Sequence, residues 1–129
     1  MVFVGELRDE ESLLTAIQCA TSGQLVFATI HALNIREVLP RITQLVVDSD
    51  KERTLKSLAT HLKAVFCQKL VPTKKGDGSL QPIVEYLFSD PTSRAIIERN
   101  DPARLADYIR ASPEVACDFN RSLQLMVEA

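Results

Sequence analysis

Two short apolar runs, separated by one helix-length segment, limit the possible folds of this chain more than any other feature. They occupy residues 2–7 and 24–30, and neither alternates apolar with polar side chains. Such runs predict strands that are buried on both faces of a parallel sheet. Between them, Asp9 is expected to cap a helix that Gly23 ends. A strand-helix-strand unit of about thirty residues fits a right-handed parallel crossover, so the sequence predicts an α/β fold.

Each predicted strand ends in a polar side chain. Glu6 follows Gly5 at the end of the first run, and His31 follows the second run. Because the carboxyl ends of parallel strands meet at one edge of a sheet, we expect Glu6 and His31 to lie together there. In α/β folds this edge binds nucleotide phosphates, and a carboxylate there is able to polarise an attacking water.

The phosphate-binding loop that would complete such a site is missing from the sequence. A P-loop requires Gly-x-x-x-x-Gly-Lys-Ser/Thr, and none of Gly5, Gly23, Gly76 and Gly78 precedes a lysine. A nucleotide would therefore lose most of the contacts that hold its β and γ phosphates. We expect this chain alone to bind neither ATP nor Mg²⁺ below millimolar concentration, and not to hydrolyse ATP at a useful rate.

Composition narrows the classes of partner. The 129 residues are about one domain, and 46% hydrophobic with 25% charged residues is ordinary globular composition. The 15 basic and 17 acidic residues are interspersed, which argues against a nucleic-acid partner. No apolar run is long enough to insert into a membrane and no signal peptide is evident, so we expect a cytoplasmic protein. Cys19, Cys67 and Cys117 are expected to be reduced core thiols on helices.

The middle of the chain predicts two helices. Asn34 is expected to open the first, which Pro40 should kink or split. Asp48 or Ser49 is expected to cap the second, predicted to be the longest of the chain. His61 has no partner at metal-ligand spacing, so we expect it at the surface and predict no metal site.

The last part of the chain predicts a hairpin followed by short helices. Residues 69–73 and 80–88 flank the turn 74–79, which contains an Asp-Gly pair. From residue 89 onward, Asp-Pro pairs at Asp90 and Asp101 each predict a capped helix. The final helix carries an apolar face that we expect to be fully used in packing: Leu123, Met126 and Val127.

Two motifs, in order and with matching downstream spacing, resemble a known family. Residues 4–12 read Val-Gly-Glu-Leu-Arg-Asp-Glu-Glu-Ser, similar to its Walker B box, and residues 22–32 resemble its His box. Residues 68–71 and 76–78 are similar to its later strand and hairpin, and residues 90–99 to its retraction segment. The chain thus resembles the secretion ATPases of type II secretion and type IV pili, and among them the pilus retraction motors of PilT and PilU type.

The resemblance implies the C-terminal part of a RecA-like P-loop ATPase core over residues 1–88 and a helical C-terminal segment over 89–129. The parent family are hexameric motors that use ATP and Mg²⁺ for pilus disassembly or secretion. It implies catalytic roles for Glu6 and His31. It also implies partners: copies of the chain, the missing N-terminal ATPase half, and a pilus or secretion assembly at the inner membrane, where peripheral attachment is expected. Further residues are implied at the nucleotide site or a subunit contact: Gly5, Arg8, Gln24 and Arg94.

Departures from the family pattern leave two functions open. Gln24 replaces the first histidine of the His box, Pro40 stands where the family has an acidic residue, and Ser93 replaces an apolar one. The family's N-terminal domain, Walker A loop and acidic box have no counterpart. The chain is thus expected to be the C-terminal portion of a motor, or a catalytically inactive paralogue that docks on a pilus or secretion assembly.

Without the family resemblance, the residue patterns also fit structural roles for several of these side chains. Glu6 fits a charged strand end in solvent, His31 a hydrogen-bonded structural histidine, and Arg94 a solvated helix face. Asp9 fits the helix cap already predicted for it.

Overall fold

The computed structural model describes residues 1–74 and 77–128. In chain order, the elements over these residues are β1 (Val2–Val4), α1 (Glu10–Thr21), β2 (Val26–Ala28), α2 (Ile35–Gln44), a 3₁₀ turn (Asp48–Asp50), α3 (Lys51–His61), β3 (Ala64–Pro72), β4 (Leu80–Phe88), α4 (Pro91–Glu98), α5 (Pro102–Ala111), β5 (Ala116–Cys117) and α6 (Phe119–Glu128). The predicted α/β class is confirmed.

The β1–α1–β2 unit is the predicted parallel crossover. Phe3 pairs with Phe27 in a parallel register. Asp9 caps α1, accepting a hydrogen bond from the Ser12 backbone N–H at 2.8 Å, while the Ser12 hydroxyl lies 3.4 Å from the Asp9 backbone N–H. Gly23 follows the helix with a positive φ of 88°, a conformation that glycine adopts without strain. The local signals for this unit were therefore correct.

The length and burial predicted for these two strands are wrong. β1 and β2 have three residues each, instead of the runs 2–7 and 24–30. Phe3 is 71% exposed and Phe27 is 50% exposed. A parallel strand is buried on both faces only where other layers cover both faces. Within the described chain, α1 packs against this pair and the opposite face, with Phe3 and Phe27, is open to solvent.

The predicted hairpin is confirmed and extended. β3 and β4 pair antiparallel from Ala64 opposite Phe88 to Pro72 opposite Leu80, so β3 begins before the predicted residue 69. The predicted turn includes Lys75 and Gly76, which lie outside the described residues. Strand β5, which was not predicted, adds a third strand by pairing with Tyr86 and Leu87 of β4.

Three predictions for the central helices are wrong. Pro40 does not split α2, which continues through it, because its buried side chains hold the helix against the core despite the missing backbone donor. Asp48 and Ser49 form a 3₁₀ turn instead of a cap, and Asp50 precedes α3 without a side-chain cap bond. α3 has 11 residues and α1 has 12, so α3 is not the longest helix.

The core lies between the hairpin sheet and the helices. α4 and α5 begin with the predicted Asp caps followed by proline. The larger buried cluster joins α2, α3, α4, α5, β4 and β5: Ile35, Leu39, Leu55, Ala59, Leu87, Ile96, Ile97, Leu105, Ile109 and Ala116. A smaller one joins α1 to α2: Leu13, Val38, Ile42 and Val46. Among the described residues, no helix combines the length and apolarity needed to cross a bilayer.

Predictions for α6 and two of the cysteines are also wrong. α6 has no buried residue, and Leu123 and Val127 are exposed, although the helix contacts β4 and its Phe119 ring lies under Lys69 of β3. Cys19 lies on α1 as expected, but Cys67 and Cys117 lie on strands β3 and β5. All three thiols are free. Burial raises the pKa of Cys67 to about 11, which makes it a poor nucleophile.

Candidate functional site

The candidate site lies where the chain leaves β1 and β2. The Nε2 atom of His31 is 2.8 Å from Oε1 of Glu6, and Nε of Arg8 donates to Oε2 of the same carboxylate. The Glu6 side chain is 21% exposed, whereas that of His31 is 87% exposed. Glu6 and His31 therefore meet at one sheet edge, as the parallel topology predicts.

Backbone pairing beyond the two strands sets this geometry. The Leu7 N–H donates to the Thr29 carbonyl at 2.8 Å, and the Thr29 hydroxyl donates to the Gly5 carbonyl. These bonds hold the segments that carry Glu6 and His31 side by side after the regular strands end. A carboxylate bonded by two nitrogen donors is fixed in orientation, so it is able to accept a hydrogen bond from a bound water at a defined position.

The other predicted site residues divide into two groups. Gly5 adjoins Glu6, and a Cβ built there would meet no atom within 4 Å, so nothing in the described chain requires glycine at this position. Gln24 is exposed and precedes β2, at the opposite end of that strand from His31. Arg94 lies on α4 and its Nε donates to the Ser89 hydroxyl at 3.2 Å. The structure thus brings Gly5 and Arg8 to Glu6, but neither Gln24 nor Arg94 contacts that carboxylate.

Sequence reasoning missed Glu85 of β4. This carboxylate is only 9% exposed, and Oε2 accepts the backbone N–H of Ile35, at the start of α2, at 2.6 Å. Burial raises its pKa, and the bond from Ile35 opposes that change. In the sequence, the signal for Glu85 is that it is the single acidic residue in the apolar run 80–88. Glu85 also lines a cleft of about 210 Å³ between α2, α5 and α6, together with Arg36 and Asp118.

The residues present do not form a site for ATP and Mg²⁺ by themselves. Glu6 is a single carboxylate, and the sequence contains no phosphate-binding loop. Among residues 1–74 and 77–128, no three His, Cys, Asp or Glu side chains gather closely enough to hold a metal ion. The arrangement supplies an oriented carboxylate and an exposed imidazole, and the phosphate contacts would have to come from elsewhere.

Comparison with known proteins identifies the family. The model of the type II/IV secretion system protein family matches residues 1–117, and the chain belongs to this family. It is 30% identical over 114 residues to the type IV pilus ATPase PilU of Pseudomonas aeruginosa, a match that covers 88% of this chain and 30% of PilU. It is 29% identical over 128 residues to the twitching motility protein of Neisseria gonorrhoeae, covering 98% of this chain and 34% of that protein.

The fold agrees with that assignment. The crystal structure of the pilus retraction motor PilT with bound ADP superposes with a TM-score of 0.82 at 26% identity, covering 98% of this chain and 35% of the PilT chain. The predicted family and fold class are therefore confirmed. The chain spans about a third of the length of these relatives.

Proposed function

We propose that this chain is the C-terminal portion of a hexameric motor ATPase that couples ATP hydrolysis to pilus disassembly or to secretion. Residues 1–88 would form part of its RecA-like core and residues 89–129 its helical C-terminal segment. Family membership and the likeness to the PilT structure support the proposal. The motor would work in the cytoplasm, peripherally attached to a pilus or secretion assembly at the inner membrane.

The 2.8 Å contact between Glu6 and His31 carries the proposal. It joins a carboxylate and an imidazole at the carboxyl ends of two parallel strands, where α/β folds bind phosphates. In the completed motor, Glu6 would orient the attacking water and Arg8 would fix the carboxylate. His31, whose ring is largely exposed, is available to a terminal phosphate or to a neighbouring subunit. Gly5, Gln24 and Arg94 remain proposed contacts of nucleotide or subunits.

The isolated chain is proposed to be inactive because it lacks the phosphate-binding loop. Calorimetric titration with Mg-ATP should give no binding below millimolar concentration, since the backbone amides and lysine of that loop supply most of the phosphate contacts. A micromolar dissociation constant would reveal a nucleotide site that this proposal lacks.

Complementation tests the catalytic role directly. The chain would be mixed with a segment of a relative that contains the Gly-x-x-x-x-Gly-Lys-Ser/Thr loop, and ATP hydrolysis would be followed by phosphate release. Activity is expected with the natural chain, and a loss of at least about a hundredfold with Glu6→Gln. Glu52→Gln, on the exposed surface of α3, is the matched control and should retain activity. Equal rates for Glu6→Gln and the natural chain would exclude Glu6 from catalysis.

A catalytically inactive paralogue that docks on a pilus or secretion assembly is the second proposal. Gln24 in place of a histidine favours it, as does the capped and buried C-terminal core. The DNA upstream of the codon for Met1 distinguishes the two. An in-frame phosphate-binding loop within about 70 codons supports the motor, because the loop would then belong to the same protein. A start signal with no such loop supports the paralogue.

A further inference from the structure

The loop between β2 and α2, which carries His31, is held by side chains of α2. Nε of Arg41 donates to the His31 carbonyl at 3.2 Å. The Leu33 N–H donates to Oε2 of Glu37 at 3.1 Å, and Oδ1 of Asn34 accepts the Glu37 N–H at 3.1 Å. Of these contacts, the one from Arg41 is made to the residue whose ring meets Glu6.

α2 is itself a fixed platform for this loop. Its inward side chains are all buried: Ile35, Val38, Leu39 and Ile42. At its start, Glu85 of β4 accepts the Ile35 N–H at 2.6 Å, so the helix is bonded to the central strand of the hairpin sheet. A side chain on this helix is therefore able to impose a position on the loop.

The His31 ring has little else to hold it. Its side chain is 87% exposed, so packing does not restrict its rotamers. A contact between an exposed imidazole and a carboxylate is worth little by itself, because it must offset the entropy of ordering both side chains. The ring meets Glu6 only if the backbone of His31 is already in the right place.

We propose that Arg41 is a positioning residue: its Nε–H holds the His31 carbonyl so that Nε2 of the ring lies against the Glu6 carboxylate. The catalytic consequence rests on the proposed function, whereas the positioning itself does not. A different role is available to Arg41, because a cation in the last turn of a helix interacts favourably with the helix dipole. The test must separate the hydrogen bond from the charge.

Three side chains of similar shape make that separation. Counted along the side chain, Nε2 of glutamine and Cε of methionine occupy the place of Nε in arginine. Arg41→Met therefore removes both donor and charge, while Arg41→Gln restores an N–H donor without the charge. Glu6→Ala provides the signal of an unpaired His31 ring, and Arg53→Met, at an exposed arginine of α3, is the matched control.

The readout is the set of ring ¹H, ¹³C and ¹⁵N chemical shifts of the full chain at one fixed pH, without nucleotide. The chain has two histidines, and His61, whose Nδ1 lies 2.9 Å from the Ser57 carbonyl oxygen, is the internal reference. Arg41→Met should displace the His31 signals by at least half the displacement seen in Glu6→Ala. Arg41→Gln and Arg53→Met should leave them near the positions of the natural chain, and His61 should not move in any variant.

Two results would overturn the proposal. His31 signals of Arg41→Met at the natural positions would show that the ring needs no help from Arg41. Equal displacement in Arg41→Met and Arg41→Gln would assign the effect to the charge. If Arg41→Met fails to fold, Arg41→Gln decides: natural His31 shifts support the donor role and displaced ones reject it. Because no nucleotide is present, failure of the motor proposal in the complementation assay would leave this result intact.

Discussion

Two buried hydroxyl groups differ in their hydrogen bonding. Ser93, at the start of α4, is fully buried; its hydroxyl donates to the Asp90 carbonyl at 3.0 Å and accepts the Asp90 N–H at 2.9 Å. Thr54, on α3, is 3% exposed, and its Oγ1 has no hydrogen-bond partner within the described part of the chain. A buried hydroxyl without a partner loses its hydration and gains nothing in return.

Thr54→Val should therefore stabilise the protein. Valine has nearly the same shape and replaces the unpaired hydroxyl with a methyl group, so we expect the free energy of unfolding to rise by about 1 kcal/mol. Ser93→Ala, which removes a fully bonded hydroxyl, should lower it by about 1–2 kcal/mol. Urea unfolding measures the free energy of unfolding of both variants. A loss of stability in Thr54→Val would mean that the hydroxyl is bonded in solution.

The buried carboxyl of Glu85 should make stability depend on pH. Since burial raises its folded pKa above the unfolded value, its contribution is greatest below the unfolded pKa and is lost as the pH rises through the folded one. Glu85→Gln keeps an oxygen that accepts the Ile35 N–H but carries no charge. We expect this variant to be more stable than the natural chain at pH 7 and equally stable below about pH 4.

Glu85→Leu is the control for the hydrogen bond. It removes the charge and the acceptor together, so it should be less stable than Glu85→Gln by about 1–3 kcal/mol at every pH. Denaturant unfolding across the pH range gives both comparisons. Parallel pH curves for Glu85→Gln and the natural chain would contradict a raised pKa for Glu85.

At the scale of elements, the sequence predicted best the features that neighbouring residues determine. Asp9, Asp90 and Asp101 cap the helices that they were expected to cap, because a cap needs only a side-chain oxygen and the N–H groups two or three residues onward. The hairpin followed from its turn and its apolar flanks. β5 was missed because its two residues gain their strand geometry from pairing with β4, which no local pattern records.

The cap of α4 should contribute strongly to stability. Asp90 accepts the Ser93 N–H at 2.8 Å through Oδ1 and the Tyr108 hydroxyl at 2.6 Å through Oδ2, so it joins α4 to α5. Asp90→Ala removes both acceptors and should lower the free energy of unfolding by about 2 kcal/mol at pH 7. Asp90→Asn retains a side-chain oxygen as acceptor for the cap, so its free energy of unfolding should fall by less.

The effect of Asp90→Ala should also depend on pH. Burial raises the pKa of Asp90, but the hydrogen bonds from Tyr108 and Ser93 outweigh that and hold it below its ordinary value. A lowered folded pKa gives stability that is present above the unfolded value, near pH 4, and is lost as the pH falls through the folded one. Thermal unfolding should therefore show a difference in stability between Asp90→Ala and the natural chain that becomes smaller as the pH falls. A constant difference down to pH 2 would contradict the lowered pKa.

At the scale of the whole molecule, the sequence predicted that Glu6 and His31 meet, but it did not predict the contacts around them. Parallel topology sends Glu6 and His31 to one edge, so a pattern of strands was sufficient to predict their meeting. Arg41 and Glu85 act through contacts that depend on how α2 packs against the sheet, and Glu85 bonds a residue 50 positions away. The same limit explains the false expectation of buried strands, since only the complete set of layers decides burial.

The open face of the β1–β2 pair should make the isolated chain self-associate. Phe3 and Phe27 lie side by side across the two strands, at 71% and 50% exposure, and Leu25, two residues before Phe27, is 53% exposed. Such a surface, next to unpaired strand edges, favours contact with a second copy. Light scattering should therefore show a molar mass that rises with concentration.

Charge placed on that face should reverse the association. Phe27→Lys puts a cation where two copies would meet, so its molar mass should stay near that of a monomer. Phe66→Lys, at a 62% exposed position of the hairpin sheet, is the matched control and should associate like the natural chain. If Phe66→Lys abolishes association and Phe27→Lys does not, the hairpin face is the contact. If the natural chain remains monomeric at high concentration, neither face drives assembly. That result would favour the stand-alone paralogue over an incomplete portion of a motor.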